Sequence, residues 1–538
     1  KNNMPKSNKR YFDITKAKYN DDGVVDFYWP LDNKKPIEFL NILTDKLIPF
    51  ITRNENKHTE LVAIRILFKW FICEVLRLFE ATVIAEESRR DGVIPIIPKK
   101  YKRLDATYNS KSLKCDLFLN HSSGPFYGRR IPRIIKRFVK EIIWNGFRSE
   151  LLKKYGSNSN DILSIVPSNL TIKHANETNK LLRFSEFEEW FGPISSNRLL
   201  KETKNLQGSE RVLSIVKDAF SKNGYNMSPE ILRYLSTWIN QANNFVNFHL
   251  QDDTFNLNKI KTDVWFGCGG NTVWHVIFIE KLRNNGIKVV THDHGSGNSY
   301  QANTPSHWVE YMHTDHFVTF NSISEKNRRN QFNSDLIFSK PNPLIQSLDS
   351  LISSENIKQN INIVKKSNKI KKIMYVGTAY LGEGARTQPI CHDITYFDWQ
   401  VKLLSFLKNK KMNVTYKPHP EGSVRVPSGF AESFGFQTRN ERFEEITDDF
   451  DAYIIDFIFS STTPAVLKTD KPVIFIDIGC PKIVPEALKS IKKRCYYIQA
   501  SYSNGSRLNI DWDNLYKLLD KEDHVFDMSF PDAYFRNV

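Results

Sequence analysis

The chain has 538 residues, 40% hydrophobic and 13% aromatic, enough for roughly two or three packed domains and incompatible with a disordered chain. Lysine and arginine number 76 against 60 aspartates and glutamates, and the resulting +16 favours anionic partners: nucleotides, phospholipid headgroups, acidic glycans or nucleic acid. Six scattered cysteines (Cys73, Cys115, Cys268, Cys391, Cys480 and Cys495) form no CxxC pair, which excludes a disulfide scaffold and a structural zinc cluster and fits a reducing compartment.

The polar start predicts no signal peptide, and the internal Met4 fits a piece of a longer protein. No stretch approaches ~18 consecutive apolar residues, so no membrane span is expected. Residues 1–35 read as a polar lead-in. From Pro36 to about Arg90 the pattern is helical, with Leu61, Ile64, Leu67, Phe68, Phe71, Ile72 and Val75 recurring at spacings of three and four. A mixed region follows, broken at 92–98 and 124–128. The segment from Arg129 to Lys154 is the most basic amphipathic stretch, interleaving Arg133, Lys136, Arg137 and Lys140 with Ile131, Ile134, Ile135 and Phe138. It reads either as a helix on an anionic membrane surface or as a core-facing helix with a solvated basic back. Residues 209–250 again read as helix.

Near Asp263 the texture changes to short β-rich runs alternating with helix-length segments, the pattern of an α/β fold with parallel sheet. A first block places strands at 264–266, 287–291 and 316–320 around a helix over 272–283. A Ser/Asn/Lys-rich stretch over 342–369 reads as a linker. A second block places strands at 373–376, 413–416, 452–455 and 473–476, with helices over 397–408 and 464–468 and a closing helix over 511–519.

In open α/β sheets ligands sit beyond the carboxyl ends of the strands. Four polar or glycine stations follow four strands: His292-Asp293-His294-Gly295-Ser296-Gly297, Gly377-Thr378-Ala379, Lys417-Pro418-His419-Pro420, and Asp456 followed by Ser460-Ser461-Thr462-Thr463. Hydroxyls at a helix start suit a phosphate, or merely cap the helix. His419, held between prolines beside Lys417, suits a hydrogen-bond donor to a phosphate or a general acid for a leaving group. His294 suits a general base, with Asp293 or Asp315 as the other candidate. A metal at His292 and His294 lacks completing ligands. Gly267–Gly270 matches neither a dinucleotide fingerprint nor a P-loop.

These stations resemble bacterial glycosyltransferases of the GT-B class that use cytidine-activated donors. His419-Pro420 looks like the HP motif, and Ser460-Ser461-Thr462 like the serine-rich phosphate motif, of sialyltransferases and Kdo transferases. Asp456 to Pro472, followed by Val473-Ile474-Phe475, is similar to a segment of CDP-glycerol polyol-phosphate transferases, whose presumed base is a His-Gly pair like His294-Gly295. In this chain Phe457, Ile458 and Phe459 separate Asp456 from the serines, where that motif has one residue. Glu383-Gly384 is the nearest text to the acidic base motif of sialyltransferases.

The resemblance implies an α/β, GT-B fold of two Rossmann-like domains facing a cleft, with extra N-terminal helices. An acceptor-side domain is expected over 1–350 and a nucleotide-sugar domain over 365–538. The implied reaction moves an acidic sugar from a CMP-activated donor to a glycan or lipid-linked oligosaccharide, for capsule or lipopolysaccharide, at the inner face of the cytoplasmic membrane. Gly377, Thr378, Lys417, His419, Pro420, Ser460, Ser461, Thr462 and Thr463 would bind the donor nucleotide. His294, Asp293 and His419 would carry the chemistry, without metal or other cofactor. The alternatives are polyol-phosphate transfer from a CDP-alcohol, a sugar-nucleotide epimerase, and a basic nucleic-acid-binding protein, for which no zinc finger, RNP-like or helix-turn-helix pattern is present. If the basic segment docks on lipid, replacing Arg133, Lys136 and Arg137 by Glu abolishes liposome association at low salt and spares activity on a soluble acceptor; equal liposome binding by both proteins would favour the core-facing helix.

Overall fold

The computed structural model describes residues 8–32, 34–55, 57–113, 115, 162–165, 169–178, 180, 182–185, 207–251, 257, 260, 262–267, 272–293, 295–302, 312–331, 343–351, 362–383, 391–420, 426–479, 481–503 and 506–535. The basic segment 129–154, residues 268–270 of the glycine turn, and His294 lie outside them.

Two six-stranded sheets, each wholly parallel, dominate the fold. The first comprises β1 (Ile162–Ile165), β2 (Leu182–Ser185), β3 (Val264–Trp265), β4 (Val289–His292), β5 (His316–Thr319) and β6 (Leu344–Ser347) in the order β6-β5-β4-β3-β1-β2. The second comprises β7 (Lys372–Val376), β8 (Asn413–Lys417), β9 (Gln437–Thr438), β10 (Ala452–Ile455), β11 (Val473–Asp477) and β12 (Tyr496–Gln499) in the order β9-β8-β7-β10-β11-β12. Both are doubly wound orders, with switch points between β1 and β3 and between β7 and β10. The α/β class read from the sequence is the one observed.

Parallel strands need cover on both faces, and the side chains of the second sheet divide accordingly. Ile373, Tyr375, Val414, Tyr416, Ile454 and Ile474 join one core with Phe397, Val401 and Leu404 of the helix Asp393–Asn409. Met374, Tyr453, Ile455, Val473 and Phe475 join another with Val466, Leu467, Ala487, Ile491 and Phe530. An N-terminal helical layer (α1, Lys34–Asn54; α2, Thr59–Ile66; α3, Phe68–Arg90; α4, Lys102–Tyr108; α5, Gln207–Lys222; α6, Pro229–Gln251) packs around Phe39, whose ring stacks on Phe79 at 3.9 Å and meets Phe220 edge-on at 5.3 Å. Among the described residues no helix is long and apolar enough to cross a membrane.

Three expectations need correction. The first sheet begins at Ile162, a hundred residues before the change of texture at Asp263, because β1 and β2 are four-residue strands too short to carry a period. The stretch over 342–369 contains β6, the edge strand of the first sheet, and a second strand, Ile363–Ser367, that pairs with Asp523–Asp527. The polar lead-in is folded onto the second sheet's half: Phe12, Ile14, Trp29 and Leu31 are buried, and Tyr19 packs against Phe397, Phe430 and Phe434.

A division at 350/365 is therefore crossed at both ends of the chain. Ser506 donates to the Trp29 carbonyl at 2.7 Å, while the helix Ser529–Tyr534 returns to the first half, where Asn321 Nδ2 donates to the Tyr534 carbonyl at 2.9 Å.

The N-terminal crossing is locked by Asp398. Its fully buried carboxylate accepts the Val24 N–H at 2.7 Å and the Arg507 guanidinium at 2.9 and 3.0 Å, with Lys402 at 3.5 Å. Gly23, at φ +106°, lies so close that a Cβ there would fall 2.3 Å from Asp398 Oδ1. Asp398→Ala strands two cations and an amide, and urea titration should show a loss of about 3 kcal/mol, the low end for a broken buried pair because Arg507 is 29% exposed; a loss under about 0.5 kcal/mol, the level of ordinary surface substitutions, would refute the lock.

Candidate active site

The loops leaving β7, β8 and β9 enclose a cavity of about 350 Å³ at the carboxyl edge of the second sheet. Thr378 lines it from β7, His419 and Pro420 from β8, and Asn440 from β9, while Tyr416 and Phe430 supply aromatic wall and Glu432 a carboxylate. The volume falls within the roughly 300–1,000 Å³ of small-molecule clefts. A half-buried imidazole, hydroxyls, an amide and one carboxylate around aromatic walls can hold a flat polar ring and hydrogen-bond its substituents.

The wall at Thr378 is fixed from beneath, and Gly377, expected beside it in the site, is not among the residues lining the cavity. Gly377 N–H donates to the Lys417 carbonyl at 3.0 Å, tying the ends of β7 and β8 together. A Cβ on Gly377 would come within 2.7 Å of Gln400 Nε2, so the close approach requires glycine. Thr378 N–H donates to Tyr396 Oη at 2.8 Å, and Tyr396 in turn donates to both oxygens of Asp456 at 3.0 Å. Asp456, at the end of β10, also accepts from Tyr375 Oη at 2.5 Å and Trp399 Nε1 at 3.0 Å. Further along, Leu381 and Gly382 donate their N–H groups to Asp393 at 3.0 Å, and Glu383 accepts the Arg103 and Leu104 N–H groups at the start of α4. The whole stretch after β7 is a pinned strap.

Of the residues expected to bind a donor, Thr378, His419 and Pro420 come together in the cavity. Lys417 does not belong to it: burial lowers its pKa, and its ammonium donates to the Glu441 backbone carbonyl. Ser460-Ser461-Thr462-Thr463 does open a helix, Thr463–Lys468, but is not among the residues lining that cavity. Ser460 Oγ accepts the Thr462 N–H at 3.2 Å, Ser461 is exposed, and Thr463 is buried and closed to a ligand. Glu383, the nearest text to an acidic base motif, is a helix cap.

The base candidates of the first half are also redefined. Asp293 forms an ion pair with Arg328 at 2.5 Å in which neither side chain is exposed, so its carboxylate does not face an acceptor. Asp315 sits at the amino end of β5, accepting from Arg283 Nε at 3.0 Å and the Val289 N–H at 2.9 Å, at the edge of the sheet opposite to the strand ends. His292 Nδ1 lies 2.9 Å from the Asp293 carbonyl oxygen. Among the described residues no three His, Cys, Asp or Glu side chains gather as a metal set.

The loops after β4 and β10 meet. Tyr300 Oη donates to the Ile458 carbonyl at 2.7 Å, its ring stacks on Phe459 at 5.4 Å, and Val484 N–H donates to its carbonyl at 2.9 Å. A Cβ on Gly297 would fall 2.8 Å from the Phe459 carbonyl oxygen, so this glycine admits a backbone of the other half rather than a substrate.

Sequence reading missed the cavity's far wall, Val426 to Asn440, and the Tyr375-Tyr396-Trp399-Gln400 network. Pro418, Pro420, Pro427 and Gly429 in the long connection after β8 were the available signal for the wall. The network had none, because tyrosines along a helix and a strand read as core.

Burial lifts the Asp456 carboxyl from its ordinary 3.8 to about 6, against the downward pull of hydrogen bonds from Tyr375, Trp399 and Tyr396. The folded state thus binds this proton more tightly than the unfolded chain. The contribution to stability is greatest below pH ~4 and declines as pH rises to ~6, by up to about 3 kcal/mol. Melting temperatures across pH 4–7 should show wild type losing ground to Asp456→Asn over that window; parallel curves would contradict the shift. No family model and no curated protein matches the chain.

Proposed function

We propose that the protein is a GT-B glycosyltransferase whose donor is a cytidine nucleotide sugar carrying an acidic sugar, with a glycan or lipid-linked oligosaccharide as acceptor. The observation that carries the reading is the cavity at the carboxyl ends of β7, β8 and β9, where Thr378 and the His419-Pro420 pair meet an aromatic wall. Two doubly wound parallel sheets, joined where loops leave the carboxyl ends of β4 and β10, and a C-terminal helix that returns to the first half support the two-domain transferase reading.

In this reading the nucleoside occupies the cavity and its phosphate extends toward His419 and the hydroxyls of Ser460, Ser461 and Thr462. The acceptor hydroxyl oxygen bonds to the anomeric carbon. The bond from that carbon to the phosphate oxygen breaks, its electron pair leaving with CMP, and the hydroxyl proton passes to a base. His419 stabilises the charge that develops on the departing phosphate. His294, between Asp293 and Gly295 in the sequence, remains the base of this reading.

A ligand that prefers the native state raises the melting temperature by mass action. Among CMP, CDP, UMP, UDP and GDP, selective stabilisation by CMP is expected; CDP selectivity would shift the assignment to polyol-phosphate transfer, and UDP or GDP selectivity would sink the cytidine donor. His419→Ala should cut turnover by roughly 10²-fold, the usual cost of one preorganised donor, with unchanged melting temperature. Wild-type turnover in that variant would remove His419 from the site.

A further inference from the structure

We infer that Tyr396 is a positioning residue of the cavity: its hydroxyl, anchored on Asp456, holds the Thr378 amide and so sets the wall against which a nucleotide binds. The inference rests on the nucleotide reading of the cavity for its functional part, and on geometry alone for its structural part.

A tyrosine hydroxyl has one proton and two lone pairs, and those of Tyr396 are all engaged. The proton goes to Asp456. The lone pairs receive the Thr378 N–H at 2.8 Å and Gln400 Nε2 at 3.2 Å. Asp456 is 1% exposed and its donors among the described residues are all neutral, so burial and these bonds hold the Tyr396 hydroxyl on it. The Thr378 amide therefore points inward, away from any ligand, and presents the rest of the residue to the cavity it lines. Charge on the acceptor of a hydrogen-bonded chain strengthens the next bond along it, so the anion two bonds away stiffens the wall.

Tyr375 provides an internal control. Its hydroxyl also donates to Asp456, at 2.5 Å, and accepts from Gln400 Nε2, at 3.0 Å, but it makes no bond to the strap. Tyr375→Phe and Tyr396→Phe thus remove nearly the same buried bonds and differ in the Thr378 amide.

The experiment compares wild type, Tyr375→Phe and Tyr396→Phe by hydrogen exchange at the Thr378 amide and by calorimetric titration with CMP. In wild type the amide should be protected like those of the strand interior. Tyr396→Phe should speed its exchange and weaken CMP binding by about tenfold each, the equivalent of one buried hydrogen bond, while Tyr375→Phe stays within about twofold of wild type in both. Equal effects of the two variants would reduce Tyr396 to a contributor to stability and overturn the inference. So would rapid exchange of Thr378 in wild type, a result that needs no variant to fold. If CMP fails to bind wild type, the nucleotide reading falls while the exchange comparison still decides whether Tyr396 holds the wall.

Discussion

One fully buried tyrosine joins the two sheets. Tyr300 leaves the loop after β4, enters the half built on the second sheet, and finds every polar and aromatic partner it needs there: the Ile458 carbonyl, the Phe459 ring, and Phe530 and Tyr534 from the returning C-terminal helix. The antiparallel bridge of Gln301 with Ile483 and the Ala302 N–H bond to the Lys482 carbonyl extend this seam. Ligands of parallel sheets sit beyond the carboxyl ends of the strands, and the seam brings together the loops that leave those ends at β4 and β10. The three-residue spacer between Asp456 and the serines, a departure from the polyol-phosphate motif, is what builds the seam, since Ile458 and Phe459 are two of its members.

A second constraint operates inside the second half. An ionisable carboxylate at the end of β10, without a cationic partner among its hydrogen-bond donors, is costly to bury and survives because three neutral donors surround it. That arrangement converts an electrostatic liability into rigidity, because none of the donors can leave without exposing a buried charge to an apolar core. The strap after β7 inherits the rigidity at Thr378 and receives a separate anchor at Asp393, which also accepts from Tyr101 of the N-terminal helical layer at 2.9 Å. The helical layer thereby takes part in shaping the cavity.

Much of this was legible in the residues. Strands over 373–376, 413–416 and 452–455 were visible because β-branched and aromatic runs between polar loops have few alternatives, and the helix from Thr272 announces itself with a hydroxyl cap that accepts the His275 N–H. Taking strand ends as ligand stations led to Thr378 and His419, which line one cavity, and equally to Gly377, Lys417 and Ser460 to Thr463, which do not. What escaped had physical causes. Asp293 beside His294 reads as chemistry until a partner is known, and Arg328 is thirty-five residues away on the helix Ser322–Gln331, a segment with almost no apolar residues to announce it. Lys417 alternates with the cavity-lining Tyr416 and so turns to the other side of its strand, where the Glu441 carbonyl claims it. The lead-in looked soluble because its few apolar residues, Phe12, Ile14, Trp29 and Leu31, follow no single period.

That lead-in also sets a timetable. Its strand Lys9–Tyr11 pairs with Ile94–Ile96, and Tyr28 donates to Asp91 at 2.8 Å, partners made early, but Val24 and Asp398 are 374 positions apart and Trp29 and Ser506 477, so those two bonds wait until most of the chain has been made. At synthesis rates of about 5–20 residues per second, the segment waits roughly 20 to 100 s. During that interval the stretch around Val24 and Trp29 lacks its cover from the second sheet's half, while the strand Lys9–Tyr11 already has its partner at Ile94–Ile96. The docking of Val24 and Trp29 is thus a late step in a segment anchored early at its other end, completed only when residues nearly five hundred positions later have emerged.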